Sequence, residues 1–239
     1  MSEHVRGPRP DLAAGVPVGV VAVPGSADGR TGVRVRLEPS REAGVAGVDY
    51  VDQPTFLLLP DRLDTGTVAV DIRGSIRHGV SEMSRGFAGL AFHITDDFTR
   101  FECVYLRPAN GARENPPSPR DQRAIQYFSY PNWPFDRLRD EKAGEYERPA
   151  DVGLDTWTRL TVRISSEKVT ALVDGAEVLQ VPRLDPATGS GVGLFVDIGT
   201  DALFANVTVD ARRERSSSAS PGQRAPGQAG TPTTDGGSR

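Results

Sequence analysis

Residues 86–107 read GFAGLAFHITDDFTRFECVYLR. Two apolar runs of strand length flank the polar turn Thr95-Asp96-Asp97. Aromatic and β-branched residues favour strands and Asp favours turns. The stretch therefore predicts a β-hairpin, with strands over about 87–94 and 98–107. Strands on its N-terminal side are expected to pair toward it, and loops and strands on its C-terminal side to close a sandwich over it.

Successive strand residues face opposite ways. Thr99, Phe101, Cys103 and Tyr105 share one face, and Arg100, Glu102, Val104 and Leu106 the other. Setting Leu90 level with Cys103 and Phe92 with Phe101 makes the core face uniformly apolar. Glu102, Arg100 and His93 then look outward. A slip of one residue would put Glu102 and Arg100 against Leu90 and Phe92 and bury charge, so the first register is expected.

Working outward, 17–23 and 32–38 are expected short strands split by the turn-rich PGSADG at 24–29. Residues 39–47 are Gly- and Ala-rich and read as loop. Residues 55–60 form an apolar strand, and TGTVAVDIR at 65–73 alternates Val68, Val70 and Ile72 with polar or small neighbours. After the hairpin come a long loop at 108–123, a strand at 124–130, and a second long segment at 131–150. Long loops inside a compact domain are usually functional or disordered. Strands return at 156–165, 168–173 and 176–181, the last two joined by Asp174-Gly175, and 192–197 and 203–209 finish the domain. Short strands with regular turn signals and little helical periodicity predict an all-β, two-sheet antiparallel sandwich.

The chain has 239 residues, 37% of them hydrophobic, with 26 Gly and 19 Pro. Residues 211–239 lack the apolar content to repay ordering and are expected to be a disordered tail. Residues 1–14 are likewise expected to be disordered, leaving 15–210 as the sandwich domain. The net charge is −4; the tail contributes +3, so residues 1–210 carry −7 by difference. That balance excludes a general attraction to nucleic acid.

The single cysteine, Cys103, forbids an internal disulfide and reads as a small core hydrophobe rather than a nucleophile. The lack of disulfides fits a reducing compartment, so a cytoplasmic location is favoured over secretion. LAAGVPVGVVAV at 12–23 is a faint echo of a signal peptide, but Glu3, Asp11 and Pro17 argue against export. No stretch reaches the ~20 apolar residues of a membrane-spanning helix.

Three separated signatures resemble the concanavalin A-like lectin/glucanase superfamily, including its laminin G-like and bacterial 3-keto-disaccharide hydrolase-like jelly-roll domains. They are the hairpin GLAFHITDDFTRFECVYLRP, the segment TWTRLTVRISSEKVTALVDG at 156–175, and the closing strands around 191–195 and 204–207. The resemblance covers about 50–210. It implies a jelly roll and a saccharide or glycoside ligand, and such sandwiches host lectins, glycosidases, lyases and protein-binding modules alike. Glucanases of the superfamily carry an E-x-D-x-E or E-x-D-x-x-E cluster on one strand, as paired-carboxylate hydrolysis needs. Here the corresponding strand offers only Glu102.

Glu102 is the leading site residue, as a hydroxyl acceptor on the concave sheet face or, if the protein is an enzyme, as a general acid/base. Arg107, Gln126 and Tyr127 could neighbour it, and Arg and Gln suit hydroxyl or carboxylate recognition. Tyr130, Trp133 and Phe135 in SYPNWPF could form a stacking platform on a Pro-stiffened loop. Tyr146 and Glu147 could close over a cleft. His4, His78 and His93 have no metal-ligand spacing, so no cofactor is expected. Asp71 and Asp210 could share a structural calcium, although calcium takes six to eight oxygens. The functional expectation is a carbohydrate-binding module with no membrane or nucleic-acid partner. The alternatives are an atypical glycoside hydrolase or lyase, and a protein-interaction domain gripping a partner with the two long loops.

Overall fold

A computed structural model describes residues 10–186 and 188–212. In chain order it runs β1 (Val16–Val18), β2 (Val20–Ala27), β3 (Arg30–Leu37), α1 (Pro39–Glu42), β4 (Phe56–Arg62), β5 (Thr65–Ile76), β6 (Ala88–Ile94) and β7 (Phe101–Leu106). There follow β8 (Ile125–Tyr130), α2 (Phe135–Glu141), β9 (Glu147–Arg148), β10 (Trp157–Ile164), β11 (Lys168–Val173), β12 (Ala176–Pro182), β13 (Gly191–Val196) and β14 (Thr200–Arg212). The described residues form two seven-stranded sheets with antiparallel pairings, ordered β1-β4-β13-β6-β7-β8-β9 and β12-β11-β10-β5-β14-β3-β2. This is the expected all-β sandwich.

The hairpin sits inside the first sheet, but its flanking strands β13 and β8 both follow it in sequence. Most of what precedes it goes elsewhere: β2, β3 and β5 belong to the second sheet. That corrects the expectation that earlier strands pair toward the hairpin. The second sheet's centre is β5, whose Val68 and Val70 lie level with Val162 and Leu160 of β10. All four are essentially inaccessible to solvent.

The hairpin register also differs from the expected one. Leu90 pairs with Val104, Ala91 with Cys103 and Phe92 with Glu102. This is a one-residue shift in the direction opposite to the slip that sequence reasoning rejected, and like that slip it puts Glu102 on the face of Leu90 and Phe92. It holds because of what the loops do on either side. Asp97 closes the turn by accepting from Thr95 Oγ1 at 2.7 Å, Thr99 Oγ1 at 2.8 Å and Thr99 N–H at 3.1 Å. The second strand begins only at Phe101. The charge of Glu102 is then met by groups that arrive from distant segments.

Both faces of the first sheet are covered. One face carries Leu90, Phe92, Val104, Leu106 and Leu194, all fully buried. It also carries the Glu102 side chain, whose partner Arg183 directly follows β12, so this is the side turned toward the second sheet. The other face carries Phe101, Cys103, Tyr105, Phe128 and Phe195, also fully buried. Their rings meet edge-on or tilted at 5.5–5.7 Å. Burial of a Phe side chain contributes about 1.5–3 kcal/mol, which makes this aromatic layer a second core. It is roofed by the segment around 51–52 and by α2: the Phe135 N–H donates to Asp52 Oδ2 at 2.6 Å and pins the two covers together.

At the ends, Leu12–Ala14 form a single 3-10 turn capped by Asp11, whose carboxylate accepts from the Ala13 N–H at 3.0 Å. Residues 10–14 are therefore structured rather than disordered as expected, and 1–9 lie outside the described residues. β14 runs to Arg212, two residues into the expected tail; 213–239 lie outside the described residues. The expected loop at 39–47 holds the four-residue helix α1. Among the described residues no helix is long and apolar enough to cross a membrane.

Candidate functional site

Sequence reasoning grouped Glu102, Arg107, Gln126 and Tyr127 as one site. The structure divides them between the two faces of the first sheet.

On the inward face, Glu102 is fully buried. Tyr127 Oη donates to its Oε2 at 2.7 Å. Arg183 Nη2 donates to its Oε1 at 2.6 Å, and Arg183 Nε reaches both oxygens at 3.1 Å. His93 Nδ1 lies 2.9 Å from Oε1. His93 reaches this face through a bulge. Gly191 pairs with Ile94 and Val192 with Phe92, so His93 is the extra residue, with φ at +51°. Its Nε2–H donates to the Asp64 carbonyl at 2.7 Å. Burial pushes the Glu102 carboxyl up, but the His93 and Arg183 hydrogen bonds and the Arg183 charge outweigh it and hold the group below its ordinary range. Above this cluster Tyr127 Oη accepts from Leu184 N–H at 3.0 Å. The expectation that Glu102 and His93 look outward is corrected: both are buried and sealed by an ion pair. Arg100 turns away from Glu102 and pairs with Asp185 at 2.5 Å.

On the outward face, Arg107 is 3% exposed and stands at the centre of a second cluster. Its Nη2 donates to Tyr105 Oη at 2.6 Å and to the Gln126 amide oxygen. Its Nη1 donates to Glu147 Oε2 at 3.1 Å. Glu147, on the two-residue strand β9, also takes Arg139 at 3.0 Å and Arg123 at 3.0 Å. Burial works against both charges. The Tyr105, Glu147 and Asp52 oxygens keep Arg107 protonated, and three guanidiniums hold Glu147 low. The Phe135 ring lies 4.8 Å from the Arg139 guanidinium and 6.0 Å from that of Arg107.

This cluster forms the wall of a cavity of about 260 Å3. Tyr105 and Arg107 line it from the sheet, Phe135 and Arg139 from α2, Asp52 from the 51–52 cover, and Arg85 and Arg120 from loops. Asp197 also reaches it, just beyond β13. Asp197 accepts the Val51 and Asp52 N–H groups at 2.9 and 3.0 Å and that of Ile198 at 2.6 Å. Burial raises its carboxyl, with those three bonds opposing. Burial and the neighbouring Asp197 charge push Asp52 up to about 7.

The aromatic residues of SYPNWPF do different things. Tyr130 stacks on Phe101 with centroids 5.1 Å apart and rings 23° from parallel. Trp133 bridges to Ser129 through paired backbone hydrogen bonds and carries the Arg137 guanidinium 4.0 Å above its ring. Only Phe135 reaches the cavity. Tyr146 is buried against Tyr127 at 5.6 Å. Asp71 is occupied by Arg159 at 3.0 Å, Arg30 at 3.2 Å and Asn206 at 2.8 Å, whereas Asp210 is exposed. Among the described residues no three His, Cys, Asp or Glu side chains come together as a metal site.

Sequence reasoning missed Asp52, Arg85, Arg120, Arg139 and Asp197. The available signal was the length of the 108–123 and 131–150 loops, which supply Arg120 and Arg139. Asp52 and Asp197 carried no local mark.

No family model matches the sequence, and no curated protein does. Solved structures do match in fold. The carbohydrate binding module CBM66 from Bacillus subtilis is 16% identical, with a TM-score of 0.50, over 80% of this chain and 95% of its own. A Bacillus subtilis protein of unknown function with a galectin-like fold is 9% identical at 0.46, over 83% and 89%. The Caenorhabditis elegans galectin LEC-6 is 10% identical at 0.38, over 67% and 94%. The chain thus shares its two-sheet sandwich fold with a carbohydrate-binding module.

Proposed function

We propose that this protein is a carbohydrate-binding module that seats one sugar unit in the cavity beside Arg107. The observation that carries the reading is the makeup of that cavity. A buried, immobilised guanidinium stands at its wall next to Tyr105 Oη, and the Phe135 ring stands beside it. Polar groups held in place by other protein groups lose little entropy on binding, and an aromatic face suits the C–H side of a sugar. The sequence resemblance to concanavalin A-like domains and the fold shared with a carbohydrate-binding module support the same reading. In this proposal Arg107 belongs to the ligand site, and Gln126 holds its guanidinium from behind. Glu102 and Tyr127 hold the sandwich together. Tyr130 and Trp133 anchor the cover.

Calorimetric titration with a saccharide panel tests it. The expected result is a dissociation constant on the order of 0.1–1 mM for at least one sugar, lost in Phe135→Ala. No binding at millimolar concentration to any member overturns it.

A hydrolytic reading has one observation in its favour. Asp52 sits in the same cavity with its carboxyl at about 7, beside Asp197, and a general acid works best near the operating pH. Release of reducing sugar from a glycoside panel, abolished by Asp52→Asn, would select this reading. Binding without release would select the module.

A further inference from the structure

The cavity is over-supplied with positive charge. Five guanidiniums line it, those of Arg85, Arg107, Arg120, Arg123 and Arg139, against the carboxyls of Asp52 and Asp197. Glu147 lies beneath and is shared by Arg107, Arg123 and Arg139. Asp197 spends its oxygens on three backbone N–H groups. Asp52 takes the Phe135 N–H.

Arg85 and Arg120 stand apart from the rest. Arg85 Nη1 donates to the carbonyls of Glu82 and Ser84 at 2.6 Å each. Arg120 donates to Asn110 Oδ1 at 3.0 Å and to the Ala109 carbonyl at 2.8 Å. These partners are neutral. They orient the two guanidiniums without cancelling their charge, and neither side chain has a carboxylate within salt-bridge distance among the described residues. Both flank the cavity that Arg107 also lines. Burial and the charges of Arg120 and Arg107 all act to lower the proton affinity of Arg85, so Arg85 is repelled by both neighbours.

Like charges gathered at one cavity and fixed by neutral acceptors are arranged for an anion that supplies the missing counter-charge. Guanidiniums present planar donor pairs that match carboxylate and ester oxyanions. Resting on the proposal that the cavity takes a sugar, we infer that the sugar is acidic: its anionic substituent lies between Arg85, Arg107 and Arg120, and its ring lies against Phe135.

The size of the site agrees. At about 260 Å3 the cavity is below the range of drug-sized pockets and suits a single substituted ring. A general attraction to a polyanion such as a nucleic-acid backbone is disfavoured, because residues 1–210 carry a net charge of −7 by difference.

The test is calorimetry on the full chain with matched probes: glucuronate and galacturonate, glucose and galactose, galactose 6-sulfate and galactose 6-phosphate, and acetate and inorganic phosphate alone. The acidic sugars are expected to bind at least about tenfold more tightly than glucose or galactose, and more tightly than the free anions. The uronates and the two esters distinguish a carboxylate source from a sulfate or phosphate source. Arg85→Gln and Arg120→Gln are each expected to weaken the acidic sugar about tenfold and a neutral sugar by clearly less, so that the preference for the acidic sugar narrows. Because Arg120 also ties down Asn110, Arg85→Gln is the decisive variant, and its unchanged melting temperature certifies the fold. Neutral sugars binding as tightly as acidic ones would overturn the inference and leave the saccharide reading standing. Free phosphate or acetate binding as tightly as the sugars would overturn it as well. Failure of every sugar would overturn both.

Discussion

Arg183 closes over Glu102 from the exit of the second sheet, with Nη2 2.6 Å from Oε1 and Nε 3.1 Å from each carboxylate oxygen. The two residues are 81 positions apart, and the pair ties the two sheets together at one edge. Removing one partner of a buried pair strands the other charge and costs about 3–5 kcal/mol. Arg183→Met is therefore expected to lower stability by about 3 kcal/mol in urea unfolding. The double variant Arg183→Met with Glu102→Leu should recover much of that loss. Neither change should alter ligand binding at Arg107, which lies on the other face of the sheet. A single variant as stable as the wild type would show that the pair does not hold the sheets.

Acid and alkaline limits have separate origins. Glu102 and Glu147 are held below the ordinary carboxylate range, so their contribution is present above that range and is lost as pH falls through it. Asp52 behaves in the opposite sense. Its folded value is raised to about 7, so its contribution is complete below the ordinary carboxylate range and is lost as pH rises through about 7. From these groups the melting temperature is expected to peak at about pH 4–5 and to decline from there toward about 7 as Asp52 loses its proton. Asp52→Asn should flatten the alkaline decline while leaving the acid limb in place. An unchanged alkaline limb in that variant would remove Asp52 as its cause.

Gly89 lies under Tyr105 on the cavity face of the sheet. A Cβ there would come within 2.2 Å of the Val104 carbonyl and 2.6 Å of Tyr105 Cβ. Backbone cannot yield as a flexible side chain can, and overpacking costs about 1–3 kcal/mol. Gly89→Ala should destabilise by about 2 kcal/mol in urea unfolding. It should also weaken saccharide binding, because Tyr105 supports Arg107. A variant with wild-type stability and affinity would show that the strand adjusts freely.

Arg107→Lys keeps the charge and loses the fork that reaches Tyr105, Gln126 and Glu147 together. Sugar affinity is expected to fall at least about tenfold, with stability lowered by about 2–3 kcal/mol. Wild-type affinity in the lysine variant would mean that the charge alone serves the site.

The layered β architecture was legible because strand alternation and the Asp174-Gly175 turn are local signals. The hairpin register was not. Choosing it required knowing that Arg183, 81 residues on, would neutralise Glu102. It also required knowing that a bulge would swing His93 to the same side. Neither fact is written near residue 102. Arg107 and Gln126 were found because they flank the strand that drew attention to Glu102, but they were assigned to its face. Parity along β7 places Tyr105 and Glu102 on opposite sides, and Arg107 follows Tyr105. Asp52 and Asp197 escaped altogether: each acts through backbone N–H groups that only folding brings to it.

The Phe135 N–H to Asp52 bond fastens a roof built from two remote stretches of chain onto a sheet that is already packed on its other side. The sandwich can thus stand while that roof is rewritten. The chamber's outline and charge are set largely by Asp52 and α2, segments that lie outside the ladders of the two sheets, so its shape is open to change independently of the sandwich core.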